Sequence, residues 1–452
     1  MSQLTEPRPS AGSPATFLFS PALLVLALSA LSLPAQDPPA AGGEPSVVRI
    51  ARKPDGGFQL LRNGKPYFIK GGGGRDPATL LAAGGNSVRG GGDAANLDRL
   101  HAAGITVQYG LSIGKPRQGF DYSNKEAVAK QLDAALAVVK RFKNHPAILA
   151  WALGNESELS AKETDRLLLW AALEDLARAI KAEDPNHPVI TVLAGASRLA
   201  EVKKLCPSLD AIGLNAYGSM LQLPEAVAAA GWDKPYIVTE FGPRGHWEVA
   251  KTPWGLPIED SSTEKADFYL KAYRHAVEGR PQALGAYVFL WGNKQEKTHT
   301  WYGMFLPDGS PTEAVDVMTY FWTGKWPANR APRIGPGKIK ITAESGATDR
   351  ENEFLPGAKL RCSITPSDPE GDPLKVAWDL RVDVSDNPSS GGDREPASVP
   401  IDGAVLSTAG NEARIQVPDK PGNYRIFVYV RDPAGKAATA NVPIRAVPPA
   451  AR

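Results

Sequence analysis

The sequence has few cysteines and no recognisable metal-binding pattern. Cys206 and Cys362 are the two cysteines of a 452-residue chain, and we place them in different domains. This argues against a disulfide framework and predicts two buried free thiols. Neither a CxxC nor an HExxH pattern occurs, so the sequence predicts no protein-ligated metal and no cofactor.

The sequence also has no excess of charge of either sign. There are 51 Lys and Arg residues against 49 Asp and Glu, a formal net charge of +2. This balance argues against nucleic acid or an anionic membrane surface as a partner. With 22% charged and 42% hydrophobic residues, the composition is typical of a soluble globular protein long enough for a large barrel and a small module. It does not indicate the oligomeric state.

Long hydrophobic runs are absent after residue 33. The run at residues 17–33 has the length of a signal-peptide core, and the small residue Ala35 suits a cleavage site. We therefore expect residues 1–35 to be a signal peptide and the protein to be secreted, periplasmic or at the cell surface. An N-terminal membrane anchor is the alternative, because the segment before the run carries little positive charge. Residues 36–46, rich in Pro, Ala and Gly, are expected to be a disordered linker, and the mature chain to have no membrane span.

Residues 47–326 predict an α/β architecture, a (β/α)8 TIM barrel preceded by a short hairpin. Eight apolar runs alternate with stretches of helical periodicity, as a parallel sheet requires. A doubly wound open sheet explains the count of eight less well, and Gly71 to Gly74 lacks the spacing of a nucleotide-binding loop. The predicted strands are Tyr67–Gly71, Asn86–Arg89, Thr106–Ile113, Ile148–Asn155, Val189–Leu193, Ala211–Tyr217, Tyr236–Phe241 and Ala286–Trp291.

The C-terminal part of the chain predicts a separate β domain. Residues 327–338 are rich in Pro, Gly and Arg and read as a linker, and residues 339–448 alternate in period two, which predicts a small all-β sandwich. The segment Ser367–Leu380 resembles immunoglobulin-fold modules of the polycystic-kidney-disease and cadherin types. Oxygen ligands at Asp368, Glu370 and Asp372 could bind calcium, although a polar turn is the interpretation we favour.

Two carboxylates end apolar runs of the predicted barrel. Glu156 follows the fourth run and Glu240 lies at the end of the seventh. In TIM barrels catalytic residues lie at the carboxyl ends of strands, and a carboxylate is costly to bury there unless it has a function or a partner. Two carboxylates facing each other across a sugar, one protonated and one ionised, are what glycoside hydrolysis requires.

In this region the sequence resembles glycoside hydrolases of clan A, most closely the catalytic barrel of family 2. The resemblance covers about residues 66–322 and rests on an ordered set of matches rather than on one motif. The family usually carries β-sandwich domains before its barrel, whereas here the predicted sandwich follows it. The matches are NSVRG (Asn86–Gly90), HPAILAWALGNE (His145–Glu156), DPNHPVITV (Asp184–Val192), IGLNAYG (Ile212–Gly218), KPYIVTEFG (Lys234–Gly242) and AYVFLW (Ala286–Trp291).

The resemblance implies a retaining double displacement on a β-linked carbohydrate. Glu156 would be the general acid/base and Glu240 the nucleophile. Asn155 would bind the sugar 2-hydroxyl, Arg89 and Tyr217 would hold the nucleophile ionised, and Trp291 would form the floor of the subsite. Asn215 and Trp301 complete the predicted substrate-binding set. A β-glucan transglycosylase with the same residues and a non-catalytic polysaccharide-binding barrel are the alternatives.

The long loops after the seventh and eighth strands supply further candidates. Exposed aromatic rings there could stack on pyranose rings, and among Trp247, Trp254, Trp301 and Tyr302 we favour Trp301. We expect Glu248, Glu259 and Asp260 to be solvated loop charges, and Glu158 to be a helix-entry residue rather than a catalyst.

Overall fold

The computed structural model describes most of the chain after its N-terminal segment. The predicted signal peptide, residues 1–35, lies outside the described residues, as does most of the predicted linker at 36–46. Among the described residues, no helix is long and apolar enough to cross a bilayer. Cys206 and Cys362 are buried free thiols, as predicted. The described residues are 44–74, 76–335, 338–388 and 395–448.

A three-stranded antiparallel sheet comes first and covers the amino-terminal end of the barrel. Asn63 and Gly64 have positive φ angles of 50° and 76°, which suits the tight turn between its last two strands. Val48 and Leu60 of this sheet pack in one cluster with barrel residues such as Ile69. The sheet therefore closes the end of the barrel away from the strand carboxyl ends. Its strands are β1 Val48–Arg52, β2 Phe58–Arg62 and β3 Lys65–Tyr67.

Eight parallel strands then close into a barrel within the described part of the chain, which confirms the predicted fold class. The ring runs β4 to β11 in chain order, with β11 pairing with β4 to close it. The strands are β4 Ile69–Gly72, β5 Ser87–Gly90, β6 Thr106–Leu111, β7 Ile148–Leu153, β8 Val189–Ala194, β9 Ala211–Asn215, β10 Tyr236–Phe241 and β11 Ala283–Val288.

The last barrel strand begins three residues before the predicted one. Gly285 interrupts the apolar run in the sequence, and it has a φ of 123°. A Cβ at this position would lie 2.2 Å from the carbonyl oxygen of Ile69 on β4. Glycine therefore allows the closing pair of strands to approach each other. The predicted range Ala286–Trp291 was wrong by three residues at each end, and Trp291 lies beyond the end of the strand.

Helices connect the strands, most of them in the stretches where the sequence has helical periodicity. Asn124 caps α3, and Ser261 forms a capping box with Glu264 at the start of α7. No helical periodicity marks α1 and α5, which have only six and seven residues. The helices of the described residues are α1 Pro77–Ala82, α2 Ala94–Ala102, α3 Lys125–Phe142, α4 Glu163–Glu183, α5 Leu199–Leu205, α6 Leu223–Ala229, α7 Ser262–Ala276 and α8 Glu313–Thr323, with 3₁₀ turns at Pro116–Gln118 and Gly218–Gln222.

The described residues after the barrel form the predicted β-sandwich. Its two four-stranded sheets run β13-β15-β19-β18 and β14-β21-β20-β17. Leu360 and Ile415 of the first sheet share one buried core with Ile426 and Val428 of the second. The strands are β12 Arg333–Ile334, β13 Lys340–Ala343, β14 Glu353–Phe354, β15 Lys359–Ser363, β16 Pro366–Ser367, β17 Lys375–Val382, β18 Val405–Ala409, β19 Glu412–Gln416, β20 Gly422–Arg431 and β21 Ala437–Ala446.

The β-sandwich contacts the barrel through buried polar groups. Asn441 of β21 donates a hydrogen bond of 2.7 Å to Glu259, in the loop after β10. Arg425 of β20 is 1% exposed and donates to the carbonyl oxygen of Pro257 in the same loop. In the loop after β11, His299 hydrogen-bonds the hydroxyl of Tyr429. The sandwich therefore holds the two loops for which the sequence predicted substrate-contacting aromatic residues.

Candidate active site

Glu240 is held at both of its carboxylate oxygens. Arg89 at the end of β5 donates from Nη1 to Oε1 over 2.5 Å, and the Tyr217 hydroxyl donates to Oε2 over 3.1 Å. The side chains of Arg89 and Glu240 are 17% and 15% exposed, so this ion pair is largely shielded from water. Burial, followed by the charge of Glu240, raises the pKa of Tyr217 well above its usual value. Tyr217 therefore acts as a hydrogen-bond donor.

Glu156 lies just beyond β7 in a strained backbone conformation. Its φ is 50°, in the left-handed region that costs a residue other than glycine about 1–2 kcal/mol. Its backbone N–H donates to the carbonyl of Val192 over 2.9 Å, which fixes the turn. Burial raises the pKa of Glu156, and the negative charge of Glu240 raises it further, while a hydrogen bond from Asn215 lowers it. The carboxyl group is therefore biased towards its protonated form.

Two asparagines link the carboxylates in one hydrogen-bond network. The Thr239 hydroxyl donates to Oδ1 of Asn215, which directs Nδ2 of that amide to Glu156 over 2.9 Å and to Oδ1 of Asn155 over 3.0 Å. The same oxygen of Asn155 accepts from Nη2 of Arg89 over 2.6 Å. No hydrogen bond within the described residues uses Nδ2 of Asn155, so this group is free to donate to a ligand.

The arrangement can perform acid/base and nucleophilic chemistry at one centre. Glu240 accepts hydrogen bonds from two donors, whereas burial and the charge of Glu240 raise the pKa of Glu156 and favour its acid form. Two carboxyl groups in such contrasting environments can divide the roles of proton donor and nucleophile. The structure thus brings together Arg89, Asn155, Glu156, Asn215, Tyr217 and Glu240 of the predicted site.

A cavity of about 690 Å³ lies at the carboxyl ends of the strands, above this network. Its size lies within the range of small-molecule binding sites. Arg89 and Gly90 line both this cavity and a neighbouring groove of about 1170 Å³, so the two spaces adjoin each other.

Residues 100–249 match the family described as Glycosyl hydrolases family 2, TIM barrel domain. The predicted resemblance is thus confirmed for this part of the barrel. The matched range contains Asn155, Glu156, Asn215, Tyr217 and Glu240, whereas Arg89 and Trp291 lie outside it.

Individual proteins are similar to parts of the chain. A β-glucuronidase of Paenibacillus borealis is 29% identical over 228 residues, covering 46% of this chain and 36% of that protein. A probable mannan endo-1,4-beta-mannosidase F of Aspergillus flavus is 47% identical over 188 residues, covering 36% and 40%. The crystal structure of a Bacteroides uniformis β-glucuronidase is 16% identical and covers 89% of this chain and 48% of that one, with a TM-score of 0.46. The chain spans less than half the length of each of these proteins.

Trp291 does not lie where the sequence predicted it. Because β11 ends at Val288, residues 288–290 line the cavity. Trp291 is 2% exposed, packs 5.3 Å from the ring of Trp322 on α8, and donates its indole hydrogen to Thr79 on α1. Its side chain therefore packs against these helices, and Trp291 lines the neighbouring groove rather than the cavity itself. Phe289 takes the predicted place of an aromatic ring in the cavity wall.

Trp301 is buried, which contradicts its prediction as an exposed stacking surface. It is 1% exposed, and its indole N–H donates to the carbonyl of Arg244 over 3.0 Å. Trp247 is instead 58% exposed, with its ring edge-to-face against Tyr217 at 5.5 Å. The exposed tryptophan beside Tyr217 is therefore Trp247 and not Trp301, the one predicted from the sequence.

The loop acids are not solvated as predicted. Glu259 is 1% exposed and pairs with Lys265 at 2.5 Å, and Asp260 is 7% exposed and pairs with Arg244. Glu248 accepts hydrogen bonds from the backbone N–H groups of Gly218 and Gly245. These acids hold the loops in place because each accepts a hydrogen bond or ion pair from another part of the chain.

Glu158 is buried close to the site. It accepts a 2.7 Å hydrogen bond from the backbone N–H of Ala194, and burial raises its pKa to about 7.

In the β-sandwich, Asp368 accepts hydrogen bonds from the backbone N–H groups of Glu370 and Asp372, which forms the predicted polar turn. No cluster of three or more metal-ligating side chains occurs within the described residues.

Sequence reasoning missed several cavity residues, notably Lys115, Gln118 and Gln108. Lys115 and Gln118 follow β6, so the strand-end rule that selected Glu156 could have found them. Gln108 is buried, and its amide oxygen and nitrogen have no partner among the described residues. Nothing in the sequence distinguishes such a residue from an ordinary polar strand residue.

Proposed function

We propose that this protein is a retaining glycoside hydrolase acting on β-linked glycosides, with Glu240 as the nucleophile and Glu156 as the general acid/base. The observation that carries the proposal is the contrast between the two carboxyl groups within one network. Glu240 receives hydrogen bonds at both oxygens, while burial and the nearby charge of Glu240 raise the pKa of Glu156. A double displacement requires this difference.

In the first step, Oε2 or Oε1 of Glu240 attacks the anomeric carbon while Glu156 transfers its proton to the departing glycosidic oxygen. The carbon–oxygen bond to the leaving group breaks as the bond to Glu240 forms. Arg89 and Tyr217 position the attacking carboxylate. The free Nδ2 of Asn155 can donate to the adjacent sugar hydroxyl, a contact that strengthens as charge develops on the ring.

In the second step, Glu156 acts as a base. Once Glu240 is an ester it carries no negative charge, so one cause of the raised pKa of Glu156 disappears. The hydrogen bond from Asn215 favours the anion of Glu156, which can then remove a proton from water. The resulting hydroxide attacks the anomeric carbon and releases Glu240.

The names of the similar proteins support β-linked carbohydrate as the substrate class, since they include a β-glucuronidase and a mannan endo-β-mannosidase. The groove that adjoins the cavity has room for further sugar units. The same groove favours a second candidate function, transglycosylation, in which a bound sugar acceptor replaces water. Analysis of products from oligosaccharide donors distinguishes the two, because only transglycosylation lengthens chains.

The test uses a panel of aryl β-glycosides. We expect turnover with the β-anomer released first, as seen by NMR of the fresh product, and a glycosyl ester on Glu240 detected by mass spectrometry. Glu240→Gln should lower kcat at least about 1000-fold, since it removes the nucleophile. Glu126→Gln, on the exposed face of α3, is the matched control. Undiminished turnover by Glu240→Gln, or release of the α-anomer first, would contradict the proposal, and an absence of all turnover would favour a binding barrel.

A further inference from the structure

Two basic residues lie on the loop that follows β6, at the edge of the candidate catalytic cavity. Lys115 lines the cavity and precedes the 3₁₀ turn Pro116–Gln118, which contains Arg117. Pro116 opens this turn, and Gly119 closes it with a φ of 90°. The loop therefore has a defined shape that places both basic residues next to each other.

Neither residue is neutralised by an acidic partner. Within the described residues, no side-chain hydrogen bond or ion pair involves Lys115 or Arg117, and Nε of Arg117 is buried without a partner. Of the other basic groups, Arg89 of the cavity binds Glu240 and Lys294 of the groove binds Glu296, whereas Arg99 of the groove donates to the neutral amide of Asn96. A buried donor without a partner is costly, which indicates that something else satisfies it.

The cavity has an excess of positive charge. The charges of Arg89 and Glu240 cancel, and Glu156 is neutral in the resting state of the proposed mechanism. Lys115 is then left unbalanced in the cavity wall, and Arg117 adds a second positive charge between the lining residues Lys115 and Gln118. Burial lowers the pKa of Lys115 and the charge of Arg117 lowers it further, while Glu156, Glu240 and Glu158 act in the opposite direction. An anion bound between the two basic groups would compensate both unfavourable effects.

We propose that the sugar bound in this cavity carries an anionic group, a hexuronic acid carboxylate or a sulfate ester, and that Lys115 and Arg117 bind it. This inference rests on the proposed function, because it uses the same cavity. The guanidinium of Arg117 suits a planar or tetrahedral oxyanion through paired hydrogen bonds, and Lys115 supplies a point charge. Both residues would select the substrate without taking part in bond cleavage.

The test compares 4-nitrophenyl β-D-glucuronide and a 6-sulfated 4-nitrophenyl β-glycoside with the neutral glucoside, galactoside and mannoside. One anionic substrate should have a kcat/KM roughly 10- to 100-fold above its neutral counterpart, the size expected for charged hydrogen bonds. Which anionic substrate is preferred identifies the group. Sodium chloride should raise KM for that substrate more than for the neutral one.

Variants distinguish binding of an anionic substrate by Lys115 and Arg117 from an effect of these residues on Glu156 and Glu240. Lys115→Met and Arg117→Met should lower the ratio of anionic to neutral kcat/KM, and Lys115→Arg should restore most of it. Lys130→Met, exposed on α3, is the control that leaves the ratio unchanged. An equal loss on both substrates would overturn the inference, because Lys115 would then act only on Glu156 and Glu240. A preference for neutral glycosides would also overturn it and would leave the proposed glycosidase activity standing.

Calorimetry provides a readout independent of turnover. If no glycoside is hydrolysed, the proposed function fails. Binding of D-glucuronate, weakened at least tenfold by Lys115→Met and absent for D-glucose, would then still support the anion site. Equal binding of the two sugars, or none, would overturn it.

Discussion

The amide of Asn215 donates a hydrogen bond of 2.9 Å to Oε1 of Glu156. The orientation of this amide is fixed because its oxygen accepts a hydrogen bond from the hydroxyl of Thr239. This bond opposes the burial that raises the pKa of Glu156. Asn215 therefore adjusts how readily the acid gives up its proton.

The first prediction concerns Asn215→Ala. Removing a hydrogen bond that favours the anion should raise the pKa of Glu156 further. Because cleavage of the substrate uses protonated Glu156, the basic limb of the pH profile of kcat/KM should move to higher pH. Thr239→Val keeps the amide of Asn215 but removes the hydrogen bond that orients it. This variant should move the basic limb in the same direction by a smaller amount. A shift to lower pH would contradict this account.

The second prediction contrasts Trp247 with Trp301. Trp247→Ala should leave Tm within about 2 °C and raise KM for oligosaccharides two- to tenfold, about the value of one aromatic contact. Trp301→Ala should lower the free energy of unfolding by about 3–5 kcal/mol, because it empties a buried site. Thermal melts and kinetics on both variants check this. If Trp247→Ala does not change KM, the exposed ring makes no contact with the sugar.

The third prediction concerns the pH dependence of stability through Glu259. Burial alone would raise the pKa of this carboxyl group, but Lys265 and Arg425 lower it from 4.5 to about 2. A lowered pKa stabilises the folded state above the unfolded value, and that contribution is lost as the pH falls from about 4.5 to 2. At pH 7 Glu259→Gln should therefore cost on the order of 3 kcal/mol in urea unfolding.

The difference between this variant and the natural protein should shrink at pH 3. Exposed Glu126→Gln, whose partner is Lys130 one helical turn away, should cost less than about 1 kcal/mol at either pH. A cost of Glu259→Gln that does not change with pH would mean that its contribution is steric rather than ionic.

The fourth prediction is that the barrel is not stable without the β-sandwich. Removing residues 327–452 would leave Glu259 without Asn441 and the Pro257 carbonyl without Arg425. It would also leave Asp316 without its ion pair to Lys436. Buried polar groups that lose their partners cost about 1–3 kcal/mol each. The truncated chain should be insoluble or melt without a cooperative transition in calorimetry, and a native-like melt would contradict this.

The barrel and its two carboxylates could be predicted because the signals are local. Each strand is an apolar run of a few residues, and Glu156 and Glu240 directly follow or end such runs. The exception is β11, whose position was predicted three residues too late. Gly285 interrupts the run of β11, and its purpose, the close approach of Ile69, is visible only once the barrel is closed.

The loops could not be predicted in the same way. Trp301 is buried, and its indole N–H donates to the carbonyl of Arg244, 57 positions earlier in the chain, whereas Trp247 is exposed. The same holds for Glu259, which has the composition of a solvated loop acid but receives Asn441 from 182 positions away. Local polarity does not encode such partners.

Asn155 contributes one oxygen that receives both Arg89 and Asn215. Consequently the nucleophile's half of the site and the acid's half are not independent, and a replacement at Asn155 is felt at both. Attempts to re-engineer the optimum pH without sacrificing rate should therefore begin with groups that touch one carboxylate alone, of which Tyr217 is the nearest example.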